Sequence, residues 1–112
     1  MNVFEYLVKI TPQATAHGSG IKYVFKRNEE LDSNLTQIAY GKFEPGEVCE
    51  CHVHPTMDEC FYFIKGLGEY QVGDEFVELR ENTFLIVHAG VPHRLEAKGN
   101  LPLEFVYWGV AL

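Results

Sequence analysis

Apolar and polar residues alternate along most of this chain, and the alternation is interrupted at short intervals by glycine, proline or Asn/Asp turns. A repeat of two places successive side chains on opposite faces, which is the pattern of half-buried strands rather than of amphipathic helices. Extended segments are therefore expected over residues 3–10, 22–25 and 35–43, then over 48–54, 59–64, 69–72, 76–79, 83–87, 93–97 and 103–110. Lys65-Gly66-Leu67-Gly68 reads as one turn and Gly73-Asp74 as a two-residue hairpin turn. Only residues 28–33 look like a helical turn or exposed loop. Many short strands at such intervals favour an all-β sandwich or closed barrel over helical or parallel α/β folds. No internal repeat, low-complexity tract or linker interrupts the pattern.

With 112 residues the chain is expected to be a single domain, large enough for one core and too short for two. The formal charge of −7 argues against a nucleic-acid partner, whose phosphates are bound by basic groups that are not clustered anywhere in this sequence. Met1-Asn2-Val3-Phe4-Glu5 lacks the basic start and apolar run of a leader, and no stretch is apolar enough to span a bilayer. A cytoplasmic protein without membrane contact is the expectation. The three cysteines show no CxxC spacing, so free thiols are expected.

The chemistry is concentrated between Gly46 and Gly66, where His52, His54 and Glu59 fall within eight positions, with His93 downstream in Ala89-Gly90-Val91-Pro92-His93. On a strand, His52 and His54 share a face with Cα atoms roughly 6.5 Å apart, close enough for both imidazoles to reach one ion. Val53 then faces away, and Pro55-Thr56-Met57-Asp58 is the place for the chain to turn. If the next strand returns antiparallel beside the first, Glu59 at its start meets the two histidines from an adjacent position. Glu59 alternates with Phe61 and Phe63, and a carboxylate sharing an aromatic interior needs a cation or partner to offset its desolvation. An HxH pair alone could be two surface histidines; Glu59, the bracketing glycines and His93 shift the reading to a metal site.

Other residues near this stretch have duller readings. Cys49 and Cys51, by strand parity, share the face of Val53 and pack as small hydrophobes, although Cys49-Glu50-Cys51-His52 could be read as a thiolate-rich zinc cluster. Glu50 has the parity of the histidines and so lines the cavity, unless a bulge reverses the strand. Tyr40 and Phe43 are candidates for the cavity wall. His88 is expected in a turn, and His17, within Ala16-His17-Gly18-Ser19-Gly20, in solvent.

The stretch from Gly46 to Gly66 resembles the first motif of the cupin family residue for residue. The second motif is matched less fully: Gly90 and His93 are kept, with Asn82 in place of the usual glycine, His88 of proline and Ala97 of asparagine. The resemblance implies a small jelly-roll β-barrel, or double-stranded β-helix, with its metal-binding core over about residues 35–110 and a divalent metal held by His52, His54, Glu59 and His93. Three imidazoles and one carboxylate suit Zn, Fe, Mn, Ni or Cu rather than a thiolate-selected ion. Such a protein would act on a small organic molecule in the barrel, with dioxygenase-like or isomerase-like chemistry and Glu59 as ligand or general base. A non-catalytic sensor or small-molecule-binding module is the alternative, and a purely structural barrel a third reading. A second polar group facing the metal (a Tyr, His88 or Glu50) would favour chemistry, and a wall of Phe and Val would favour binding. The apolar run over residues 103–112, with Phe4, Tyr6 and Leu7 in the opening segment, points to edge pairing with a second copy, as does the resemblance, which implies a homodimer.

Overall fold

A computed structural model of the chain describes residues 3–112. Met1 and Asn2, at the start of the leader reading above, lie outside the described residues. Ten strands form two antiparallel sheets: β1 (Gln13–Ala14), β2 (Ile21–Arg27), β3 (Leu35–Phe43), β4 (Val48–His52), β5 (Met57–Lys65), β6 (Leu67–Val72), β7 (Glu75–Leu79), β8 (Thr83–Val87), β9 (His93–Lys98) and β10 (Leu103–Ala111). One sheet runs β1-β2-β3-β10-β5-β8 and the other β4-β9-β6-β7. The expected all-β jelly roll is what the chain forms.

The period of two in the sequence is read out directly as burial. Phe61 and Phe63 of β5, Leu95 and Ala97 of β9, and Leu103 and Phe105 of β10 turn inward and meet Tyr70 and Leu79 in one core between the sheets. Phe61 stacks on Tyr107 with centroids 5.7 Å apart, and Phe63 packs on Phe105 at 5.1 Å, so aromatic area closes most of this interior. Asn28–Glu30 forms a short 3-10 turn, as expected for that polar stretch.

Two expectations about the strands fail, and one short strand was unforeseen. Residues 3–10 contain no strand; Leu7–Lys9 is a 3-10 turn, and Phe4, Tyr6 and Val8 stay exposed because no neighbouring strand offers them a partner. The two-residue β1, unforeseen, pairs with β2 instead. The apolar C-terminal run is not an edge at all: β10 is hydrogen-bonded to β3 on one side and β5 on the other. Its hydrophobicity is that of a central strand, so the inference of edge pairing drawn from it loses that support.

Turn residues fix how the strands are joined. Asn82 is the only non-glycine with positive φ among the described residues, at 64°, which accounts for a residue that tolerates the left-handed region standing where the family pattern has glycine. Its side chain is held by the Tyr62 hydroxyl, which donates to Asn82 Oδ1 at 2.9 Å. The two glycines that bracket the first motif differ in what they need. Gly46 (φ 89°) and Gly66 (φ 86°) both need the left-handed region, but a Cβ on Gly46 meets open space. One on Gly66 would strike the Pro102 carbonyl oxygen and lie 2.8 Å from Leu103 Cα. Gly46→Ala is therefore expected to cost about 1 kcal/mol and Gly66→Ala about 3 kcal/mol in chemical denaturation. Equal costs at the two positions would show that backbone conformation, not the contact with residues 102–103, governs Gly66.

Candidate metal centre

The site begins with a bulge. In the β4–β9 ladder Cys49 faces Leu95 while His52 faces His93, so β4 spends three steps where β9 spends two. The extra residue breaks strand parity and puts both Cys49 and His52 on the inner side. Glu50 is thereby turned out, its side chain largely in solvent and within 3.4 Å of Arg94 Nε, and Cys51 is exposed. Glu50 as a cavity residue and Cys51 as a packed hydrophobe are both corrected by that one insertion. Cys49, Cys51 and Cys60 are all free thiols.

After His52 the chain leaves the four-stranded sheet and enters β5 of the other one, so β4 and β5 are not neighbours in a ladder. The expected antiparallel hairpin does not exist. Glu59 instead reaches the histidines across the interior from the opposite sheet. The crossing segment is pinned by Gly90 N–H donating to the His54 carbonyl at 2.9 Å and Ala89 N–H donating to Asp58 Oδ1 at 2.8 Å. His54, just past the strand end, is thereby held facing in, while Val53 faces out.

The imidazoles of His52, His54 and His93 each offer a nitrogen, and these nitrogens all lie within 4.8 Å of one another. Glu59 Oε1 stands 3.5 Å from His54 Nε2 and 3.9 Å from His93 Nε2. Backbone carbonyls set the tautomers of two rings. Nδ1–H of His52 donates to Glu50 O and Nδ1–H of His93 to Val91 O, both at 2.9 Å, which leaves each Nε2 as the unprotonated, ligating nitrogen. His93 is 1% exposed, and its Nε2 is buried with no hydrogen-bond partner. An orphaned buried acceptor beside two more imidazoles and a carboxylate fits a divalent cation by both geometry and donor type.

The surroundings shift these groups in opposite directions. Its hydrogen bond to Glu59 raises the His54 pKa above the usual histidine value, whereas burial lowers that of His93. Burial also pushes the Cys49 thiol up to about 11, and Tyr70 and Tyr107 well above the ordinary phenol value. Cys49 is therefore a protonated thiol in the metal-free protein, in keeping with its role as a small packed side chain.

His52, His54 and Glu59 front a cavity of about 150 Å³, with His93 buried behind them. Its walls are mainly aromatic and aliphatic, Phe43, Phe61, Leu95 and Phe105 among them, and its polar points are Tyr70, Tyr107, His17, Lys22 and Gln37. Phe43 is where it was expected. Tyr40 is not in the wall; it lies on the outer face of β3, its hydroxyl donating to Glu104 Oε1 at 2.9 Å. His17 is exposed, as expected, yet its ring lies 3.9 Å from that of His52, and partial burial lowers its pKa. His17, Cys49 and His52 make a second group whose ligand atoms lie within 4.8 Å of one another. His88 occupies the expected turn, exposed, with Nδ1 3.5 Å from Asp58 Oδ2. Tyr107 was legible from its shared parity with Leu103 and Phe105, but nothing in the sequence marks His17 or Lys22 as bordering the cavity.

A sequence profile of the cupin domain matches residues 39–109. The chain belongs to the cupin family. This cupin is 38% identical over 70 residues to the tetracenomycin polyketide synthase protein TcmJ of Streptomyces glaucescens, covering 62% of this chain and 47% of that one. It thus spans about half the length of that relative. Among solved structures it superimposes on a predicted oxalate decarboxylase from Thermotoga maritima with a TM-score of 0.88 at 22% identity, covering 96% of this chain and 97% of the other. KdgF from Halomonas sp. gives 0.81 at 16% identity, covering 100% and 96%. At such identities the two structures speak for the cupin fold alone. Among the described residues no helix is long and apolar enough to cross a membrane.

The opposed histidine shifts predict a specific pH profile for the metal-free cupin. His93, lowered from 6.5 by burial, contributes stability that is complete above about pH 6.5 and is lost as pH falls through its folded value. His54, raised from 6.5, contributes stability that is complete below about pH 6.5 and is lost as pH rises through its folded value. In denaturation midpoints measured across this window, His93→Gln should flatten the acid-side decline and His54→Gln the decline above pH 6.5. An unchanged acid slope in His93→Gln would refute the burial argument.

Proposed function

We propose that this cupin binds one divalent transition metal through His52, His54 and His93, with Glu59 as fourth ligand or general base, and uses it to act on a small organic molecule in the barrel. The observation that carries the proposal is the buried, unpartnered Nε2 of His93 beside His54 and Glu59. Zn, Fe, Mn, Ni or Cu all suit this donor set, and such an ion supplies Lewis acidity or, for a redox-active metal, oxygen activation.

The residues of the chain have definable tasks in that scheme. Val91 O and Glu50 O orient two of the rings through their Nδ1 protons. Glu59, when not ligating, can take a proton from the bound molecule at Oε1. Phe43, Phe61 and Phe105 exclude water from the reacting end. Tyr70 and Tyr107 stay protonated and can donate a hydrogen bond to developing negative charge. These polar points among apolar walls favour catalysis over the alternative of a non-catalytic sensor, for which an unbroken wall of Phe and Val would suffice.

Replacing His52 and His54 together by alanine is expected to abolish stoichiometric metal uptake measured by elemental analysis, while Cys49→Ser with Cys51→Ser leaves it unchanged. Full occupancy in the double histidine variant sinks the assignment, and loss in the cysteine variant moves the ion to the His17, Cys49 and His52 group. A cytoplasmic homodimer belongs to the same proposal. Its remaining support is the exposed apolar set Val3, Phe4, Tyr6 and Val8. Light scattering at micromolar concentration is expected to report twice the 12.8 kDa chain mass, and a monomer removes the dimer.

A further inference from the structure

One lysine lines the cavity, and among the described residues it has no ion-pair partner. Lys22 lies opposite Gly41 in the β2–β3 register and shares the inward face of β3 with Gln37 and Phe43. Among the described residues it makes no ion pair; its Nζ donates only a long hydrogen bond, 3.3 Å, to Gln37 Oε1. Every other lysine or arginine stands outside this cavity. Burial lowers the Lys22 pKa, a direction partly opposed by Glu59. If Glu59 is committed to an ion, as in the reading above on which this inference rests, Lys22 loses that compensation and the cavity carries net positive charge.

We propose that Lys22 and Gln37 form the anion subsite of this cavity, so that the molecule it takes is a small carboxylate, held at one end by Lys22 and presented at the other to His52 and His54. A carboxylate accepts the Lys22 charge-assisted hydrogen bond in place of the long contact to Gln37, and the Gln37 side-chain amide can donate to its second oxygen. The aromatic wall between the two ends sets the length of the molecule, which confines the choice to small acids. Thr15, from the segment before β2, also lines the cavity, while His17 borders it beside His52.

Isothermal titration of malonate and of its uncharged counterpart malonamide into the nickel(II)-loaded protein tests this. Malonate is expected to bind and malonamide not, and Lys22→Met, which keeps the apolar stem, to weaken malonate about tenfold or more. Lys22→Arg should retain most of the affinity and Gln37→Leu lose a smaller part. Equal malonate affinity in wild type and Lys22→Met, equal binding of acid and amide, or no malonate binding overturns the proposal. Should Lys22→Met lose its cooperative thermal transition, the acid–amide comparison and Gln37→Leu decide instead. Nickel uptake is measured first by elemental analysis. If it fails, the metal reading fails with it, and the same titrations in the metal-free protein still decide whether Lys22 holds an anion.

Discussion

Glu59 and His93 occupy positions whose neighbours along the same strand faces are Phe61, Phe63, Leu95 and Ala97, so a carboxylate and an imidazole are placed where the fold otherwise puts hydrocarbon. Removing such groups from water costs several kcal/mol each unless a partner replaces the lost solvation. Glu59 obtains part of that from His54, but His93 Nε2 obtains nothing from the protein. The barrel is built around this deficit. Two antiparallel sheets stacked through aromatic contacts bring the carboxylate from one side and the imidazoles from the other, and hold them at 3.5–3.9 Å. An apolar substitution would relieve the cost, so the polar pair is a specification for something bound rather than for the fold.

The bulge in β4 is the local device that makes the arrangement possible. A regular strand would have sent Cys49 and His52 to opposite faces; with one extra residue both face in, and His52 is set directly across from His93. The same insertion expels Glu50 and Cys51 to the surface and keeps the hard, negatively charged side chain of Glu50 out of the site. The outcome is a donor set dominated by imidazole with one carboxylate, and a thiol kept protonated by burial.

Charge is distributed unevenly along the cavity. At one end stand His52, His54 and Glu59; toward the first strands stand Lys22 and Gln37, with Phe43, Phe61 and Phe105 lining the space they share. A ligand that satisfies both ends must be polar at two points and apolar or compact between them. This cupin also differs from a bare binding shell in having a buried phenol, Tyr70, and a half-buried one, Tyr107, that stay protonated and can donate at neutral pH.

Period-two alternation determined the all-β architecture, the inward positions of Phe61, Phe63 and Leu95, and nearly every strand after residue 34, because burial on one face of a sheet leaves a direct trace in the sequence. The spacing of His52, His54, Glu59 and His93 likewise disclosed which side chains would meet, since each is chemically unsuited to any other part of the interior. Tertiary structure decided the rest. Which sheet receives β4 and which β5, and so the direction from which Glu59 arrives, depends on non-local pairing with β9 and β10. The bulge that inverted the parity of Glu50 and Cys49 depends on register with β9. The approach of His17 to His52 and the facing of Lys22 into the cavity depend on long-range contacts of the chain before β3, which leave no periodic signal in the residues that make them.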